Sequence, residues 1–121
     1  MNPTTNSCLF IQSKTGFDVF DVSLELIRTV RGPIEVIRSH DATLSTQLRK
    51  AAASVPANIR EGNRRQGRDR LHLWTIAAGS ADEVQSHLLV AQAWGYIDDT
   101  ALQVPLQLVD RVLAMLWRLT H

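Results

Sequence analysis

The segment from residue 60 to residue 70 holds the densest group of side chains that could bind an anion. It reads Arg-Glu-Gly-Asn-Arg-Arg-Gln-Gly-Arg-Asp-Arg, with five arginines against two acids. A guanidinium group forms paired hydrogen bonds with phosphate oxygens, and the two glycines let backbone N–H groups approach an anion. RNA or DNA is therefore a candidate partner. The phosphate contacts would come from Arg60, Arg64, Arg65, Arg68 and Arg70.

The same segment also fits a second interpretation. Its arginines could pair with acids of this chain or of a neighbouring subunit, and the corner would then belong to a protein-interaction scaffold that binds no nucleic acid. The eleven residues include no aromatic side chain. Base stacking is therefore not expected, and phosphate contacts would tolerate any nucleotide sequence.

The net charge of +1 hides an uneven distribution of charge. The net charge is −2 over residues 1–27 and −3 over residues 71–121. Residues 28–70 hold ten basic and four acidic residues, for a net charge of +6. Near-neutrality of the whole chain therefore does not exclude a polyanionic partner, because one region is strongly basic. Hydrophobic residues make up 45% and charged residues 21%, which excludes a fully disordered or collagen-like chain.

The histidines give two weak indications of chemistry. Glu83 and His87 stand four residues apart on one helix face, but the sequence shows no third metal ligand. Arg65 and His72 have the spacing of the Arg-x(4–6)-His pattern of certain all-helical ribonucleases, in which the histidine is a general acid and base. A ribonuclease is thus a remote alternative. No hydrolase, nucleotide-binding or zinc-protease motif is present, so we expect no catalytic residue, cofactor or metal.

Apolar residues follow helical spacing from Phe17 onward and predict four helices. Asp41 and Asp98-Asp99 are expected N-caps, and Gly95 is expected just after the end of the third helix, at Trp94. We expect an all-α, antiparallel up-down-up-down four-helix bundle over residues 17–121, preceded by a flexible N-terminal arm over residues 1–16. The core seam of the last helix is predicted to contain Leu102, Leu106, Val109, Leu113 and Leu116.

Prolines complicate three of these helices. Gly32-Pro33 predicts a kink or a local break in the first helix, because proline removes a hydrogen bond and clashes with the preceding turn. Pro56 predicts a kink near Ser54 in the second helix. Pro105 offers an alternative start for the fourth helix.

A single cysteine, Cys8, excludes an intrachain disulfide and favours a reducing, cytoplasmic location. The first residues lack the basic region of a signal peptide, and no apolar run approaches the roughly 18 residues of a membrane span. We therefore expect no membrane association.

The segment from Gln47 to Gly62 resembles the Q-L-R-R-A-A-x-S-V/I-P-x-N-I-x-E-G motif of the 23S ribosomal RNA intervening-sequence proteins, a bacterial four-helix bundle family. Residues 76–83 resemble the family's I-A-x-G-S-x-x-E motif, and residues 94–97 resemble its x-G-Y-I/L link. The resemblance spans roughly residues 17–119, and Gly32-Pro33 departs from it. The motif positions with an expected structural role are Ser54, Pro56, Asn58, Glu61, Gly62, Gly79 and Ser80.

The family resemblance implies an all-helical bundle that assembles into a homopentameric ring and has no established enzymatic activity. The family is also similar to the accessory proteins of diversity-generating retroelements, whose pentamers bind nucleic acid. The resemblance therefore implies self-association and, by analogy, RNA or DNA as a partner, whereas the lack of catalytic motifs leads us to expect a non-enzymatic protein.

Several residues outside the arginine segment have expected packing roles. The side chain of Ser54 or Asn58 would satisfy backbone groups disturbed by Pro56. Glu61 could reach Arg49, Arg64 or a neighbouring helix, and a catalytic carboxylate is the alternative for Glu61.

The small residues from Ala77 to Ala81 would let another helix approach closely. Trp94 and Trp117 are predicted at the edge of the core or at an interface between subunits, whereas Trp74 fits either the core or an interface.

Overall fold

Four helices make up most of residues 16–121, the part of the chain that the computed structural model describes. They are α1 (Asp18–Arg38), α2 (Ala42–Asn63), α3 (Gly67–Ala93) and α4 (Asp99–Thr120). No strand occurs within this part, so the all-α prediction is confirmed there. Apart from Gly16, the predicted N-terminal arm lies outside the described residues.

Each helix packs mainly against two neighbours: α1 and α3 both contact α2 and α4. Because the connections are short, consecutive helices run antiparallel. The start of α1 and the end of α4 therefore lie at the same end of the bundle as the connection between α2 and α3. The two other connections lie at the opposite end.

The core is built from one apolar stripe on each helix, as helical periodicity predicts. In α4 the buried stripe consists of Leu102, Pro105, Val109, Val112 and Leu116. Leu106 and Leu113 were expected in this stripe but are only half-buried against its side. The predicted seam is wrong at these two positions, because Pro105 and Val112 lie closer to the centre of the buried face.

The prolines do not interrupt the helices. Helix α1 runs unbroken through Pro33, α2 runs through Pro56, and α4 begins at Asp99 with Pro105 inside it. The expected break in the first helix and the alternative start at Pro105 are therefore wrong. An interior proline costs about 3 kcal/mol. Burial of Val30, Ile34 and Ile37 on both sides of Pro33 offsets this cost, since each buried side chain contributes about 1.5–3 kcal/mol.

The predicted helix ends are confirmed by their hydrogen bonds. Asp41 Oδ1 accepts from the N–H of Leu44 at 3.0 Å, and Asp98 Oδ1 accepts from the N–H of Ala101 at 3.0 Å. Gly95 has a left-handed φ of 82° and donates its N–H to Gln92. The next residue donates to the carbonyl of residue 91, which completes a Schellman motif.

No helix among residues 16–121 is both long enough and apolar enough to span a membrane.

Candidate nucleic-acid interface

The arginine segment forms the corner where α2 ends and α3 begins, and the structure gives its five arginines different roles. Arg70 is half-buried and binds the end of α2. Its Nε donates to the carbonyl of Gly62 at 3.2 Å, and its Nη2 donates to the carbonyl of Asn63 at 3.2 Å. Its guanidinium also lies 5.3 Å from the ring of Trp74. Arg70 therefore satisfies the last carbonyls of a helix and stabilises the corner itself.

Arg65 is paired within the chain. Its Nη2 lies 2.7 Å from Glu61 Oε2, and its Nε donates to the same oxygen at 3.1 Å. The expected partners of Glu61 were Arg49, Arg64 or a neighbouring helix, so this expectation is wrong. The partner is instead Arg65, four residues further along the chain, just beyond the end of α2. Both side chains are about half exposed, and such surface pairs contribute only about 0.3–0.5 kcal/mol. Arg65 can therefore exchange Glu61 for another anion at little cost.

Arg60, Arg64 and Arg68 are exposed and form no ion pair with any acid among residues 16–121. Arg64 is the C-cap of α2, and Arg68 lies in the first turn of α3. The N-cap residue of α3, Gln66, makes no side-chain capping bond. The positive end of the α3 dipole therefore adds to the three guanidinium charges at this corner.

Two aromatic residues join the corner from α1. The guanidinium of Arg60 lies over the ring of Phe20, 5.2 Å from its centroid. A cavity of about 430 Å³ opens beside this pair, lined by Phe17, Phe20, Arg60, Asn63 and Arg64. These rings were not predicted, because they lie some 40 residues before the arginine segment in the sequence. The available signal was the antiparallel order of the helices, which brings the start of the first helix to the end of the second.

The basic surface also continues along the outer face of α2. Arg49 and Lys50 are exposed there and form no ion pair with described residues. Ala53 and Ala57 are exposed between them and the corner. At 1.5 Å per residue, this stripe from residue 49 to residue 64 is about 22 Å long. Arg49 and Lys50 were not among the predicted phosphate contacts, although their helical spacing relative to Arg60 and Arg64 is visible in the sequence.

The motif residues of α2 tie that helix to α3. Asn58 Nδ2 donates to the carbonyl and to the Oγ of Ser54, both at 2.9 Å. The Oγ atoms of Ser54 and Ser80 lie 2.8 Å apart and form a bond between the helices. This network gives Ser54, Asn58 and Ser80 a structural role next to the buried Pro56, but its backbone acceptor is the carbonyl of Ser54 and not that of Ala52, which Pro56 leaves without its helical donor.

Gly62 has a packing reason of its own. Its backbone faces the buried indole of Trp74, whose Nε1 donates to the carbonyl of Ile59 at 3.0 Å. A Cβ at position 62 would lie only 2.5 Å from Trp74 Cδ1. A glycine therefore lets α2 and α3 meet at the base of the arginine corner. Trp74, 5% exposed, belongs to the core.

Gly79 was expected to lie where another helix packs closely, but it does not. Ala77, Ser80 and Ala81 are buried, but Gly79 is exposed and no atom lies within 4 Å of a Cβ built there. Its place opposite the buried stripe of α3 is the reason. The expected packing role is therefore wrong for Gly79 within one chain.

Trp94 and Trp117 are 69% and 61% exposed, although Trp94 stacks on Tyr96 and Trp117 stacks on His121. Nine large hydrophobic side chains are exposed in residues 16–121, and eight of them lie from residue 71 onward, on or next to α3 and α4. These eight are Leu71, Ile76, Leu89, Val90, Trp94, Val104, Trp117 and Leu119. Helix α2, which carries the basic stripe, contributes none.

The structure gives little support to a metal site at Glu83 and His87 or to a ribonuclease site at Arg65 and His72. His87 Nε2 lies 3.5 Å from Glu83 Oε2 without a hydrogen bond, and the described residues contain no group of three metal-ligating side chains. Of the pair considered for a ribonuclease, Arg65 is held by Glu61, and His72 is exposed on α3.

Residues 16–121 thus form an all-helical, four-helix domain with an exposed basic corner. The profile of the 23S rRNA-intervening sequence protein family matches residues 17–118, so the chain belongs to this family. A crystal structure from Bacteroides thetaiotaomicron, of a protein of unknown function from the S23 ribosomal protein family, is similar with a TM-score of 0.77. The alignment is 23% identical and covers 84% of this chain and 97% of that one. At this identity the similarity shows the fold alone. No curated protein matches the chain.

Proposed function

We propose that this protein is a non-enzymatic, self-associating helical bundle that binds RNA or DNA through phosphate contacts at the α2–α3 corner. The observation that carries the proposal is the exposure of Arg60, Arg64 and Arg68 without an acidic partner among the described residues. Clustered guanidinium groups repel one another, and a phosphate backbone relieves this repulsion with release of its counterions.

The five arginines contribute to this function in different ways. Arg60, Arg64 and Arg68 contact phosphates directly, and Arg65 joins them by exchanging its weak pair with Glu61. Arg70 acts indirectly, because its bonds to the end of α2 hold the corner in shape. Arg49 and Lys50 extend the contacts along α2. Such contacts orient a nucleic acid without selecting its sequence.

Self-association is supported by the eight exposed large hydrophobic side chains on or next to α3 and α4, none of which lies on the basic helix α2. Tryptophan side chains in particular are enriched at interfaces between proteins. We propose that Trp94 and Trp117 lie at the contacts between subunits, and that the assembly is the homopentameric ring implied by the family resemblance. A ring would present the basic corner five times and strengthen binding through multivalency.

The assembly is tested by multi-angle light scattering. The mass expected is that of five chains of 13.5 kDa. The variants Trp94→Ser and Trp117→Ser should lower the mass, because they remove exposed indoles without touching the core. A wild-type protein that stays monomeric at every concentration would contradict this part of the proposal.

Nucleic-acid binding is tested by titration with mixed-sequence RNA and duplex DNA of equal length at two salt concentrations. The double variant Arg64→Gln/Arg68→Gln should bind at least about tenfold more weakly and lower the salt slope by about 2, because each lost phosphate contact lowers it by about 1. The matched control is Arg111→Gln/Arg118→Gln, which removes the same charge from α4 and should change the affinity less than twofold.

Other results would support the alternatives. No binding at low salt, or equal weakening by both double variants, would reject the phosphate-binding corner and favour a protein-interaction scaffold. The length of the RNA is followed in the same titration. Cleavage that is lost in His72→Ala would instead establish the ribonuclease.

A cytoplasmic location, expected from the single cysteine, agrees with this proposal.

A further inference from the structure

The cavity between the start of α1 and the end of α2 places an aromatic ring and a side-chain amide, which the phosphate-binding proposal does not use, beside two of its arginines. It measures about 430 Å³, which is within the range of roughly 300–1,000 Å³ typical of small-molecule sites. Its lining includes the aromatic side chain of Phe20, two guanidinium groups and the amide of Asn63. A site that bound phosphate alone would need only the guanidinium groups.

The first of these groups is a planar platform. Phe20 is half-buried against the core, and the guanidinium of Arg60 lies over its ring at 5.2 Å. Because Arg60 is exposed, the other side of its guanidinium is accessible from solvent. Unpaired bases stack on aromatic rings and on guanidinium planes of this kind. The ring beneath Arg60 restrains the guanidinium before a base arrives, which lowers the entropy cost of stacking.

The second group is the side-chain amide of Asn63, which is exposed and has no hydrogen-bond partner among residues 16–121. An amide offers both a donor and an acceptor to the edge of a base. Arg64, next in the chain and one helical turn from Arg60, adds an unpaired guanidinium to the same cavity. The cavity thus holds a stacking surface, a base-edge partner and a phosphate ligand.

We infer that this cavity accepts one unpaired nucleotide of a single strand, with its base on the Arg60–Phe20 pair and its phosphate at Arg64. The inference rests on the proposed function and adds to it the form of nucleic acid that is bound. A base within a duplex is covered on both faces by its neighbours and enters such a cavity only at the cost of unstacking. Single strands are therefore bound more tightly than duplexes of equal length.

The experiment separates stacking from charge by substituting arginine with lysine. Arg60→Lys keeps the positive charge but loses the planar guanidinium. It should weaken binding of an unstructured 20-nucleotide RNA about tenfold, the effect expected for one stacked base, and change duplex binding less than twofold. Arg111→Lys is the matched control, since Arg111 is exposed on α4 and makes no aromatic contact among residues 16–121. It should change both affinities less than twofold.

Phe20→Leu provides a second variant, because leucine keeps the apolar packing but removes the ring. With its helical circular dichroism retained, it should lower single-strand affinity selectively, as Arg60→Lys does. Equal weakening of single-strand and duplex binding by Arg60→Lys, or no effect on either, would overturn the nucleotide site and leave phosphate binding intact. A wild-type protein that binds neither form would overturn both the site and the proposed function.

Discussion

Replacement of Gly62 by alanine provides a sharp test of how α2 and α3 meet below the arginine corner. In an open helix interior this change stabilises by about 1 kcal/mol, because alanine has the higher helix propensity. Gly62 is not in an open position. A Cβ there would lie 2.5 Å from Trp74 Cδ1 and 2.6 Å from Trp74 Nε1. The indole is 5% exposed, and its Nε1 donates to the carbonyl of Ile59 at 3.0 Å.

The close contact with Trp74 therefore turns an expected gain in stability from Gly62→Ala into a loss. To admit the methyl group, either Trp74 must move or the two helices must separate. Overpacking of this kind costs about 1–3 kcal/mol, and loss of the buried indole hydrogen bond costs about 1–3 kcal/mol more. After subtraction of the gain in helix propensity, we expect Gly62→Ala to lower the free energy of unfolding by about 1–5 kcal/mol.

Urea unfolding, followed by circular dichroism at one fixed protein concentration, measures this change. The control is Gly79→Ala in α3, where no atom lies within 4 Å of the added Cβ. This control should raise the free energy of unfolding by up to about 1 kcal/mol. Trp74→Phe has no indole N–H and a smaller ring, so the double variant Gly62→Ala/Trp74→Phe should cost less than the sum of its parts. Stabilisation by Gly62→Ala would refute the close contact.

Three further predictions are checked by the same unfolding measurement. Asp98→Ala removes the N-cap of α4 and should cost about 1 kcal/mol, whereas Asp98→Ser should retain most of the stability; equal losses would argue against capping. Ser80→Ala removes the hydroxyl bond to Ser54 and should cost about 0.5–1.5 kcal/mol, so an unchanged midpoint would show that this bond contributes nothing. Arg70→Ala should cost about 1–3 kcal/mol because two carbonyls at the end of α2 lose their donor, whereas Arg65→Ala should cost less than about 0.5 kcal/mol; the reverse order would contradict the roles assigned to these arginines.

The helices and their ends could be predicted from the sequence because they depend on neighbours within one or two turns. An N-cap such as Asp41 or Asp98 needs only its own carboxylate and the backbone three residues later. Gly95 needs only its freedom to adopt a left-handed φ. The expected break at Pro33 was wrong because it does not depend on local neighbours alone. Whether a helix continues through proline depends on the apolar burial on both sides, which a local rule does not include.

The candidate site was predictable only in part. The five arginines are close together in the sequence, so their clustering needed no tertiary information. Phe20, which supports Arg60, comes from the first helix, and only antiparallel packing brings it to the end of the second. The exposed position of Gly79 was missed because small residues predict close packing without indicating which face of the helix is buried.

The sequence by itself determined that this chain is all-helical, that it resembles the family to which it belongs, and that its positive charge is concentrated between residues 28 and 70. The tertiary structure decided what each arginine does. It assigned Arg70 to the end of a helix, paired Arg65 with Glu61, and left Arg64 and Arg68 unpaired among the described residues. The physical reason is the short range of hydrogen bonds and ion pairs. A guanidinium group is satisfied only by acceptors within about 3–4 Å, and packing determines which acceptors come that close.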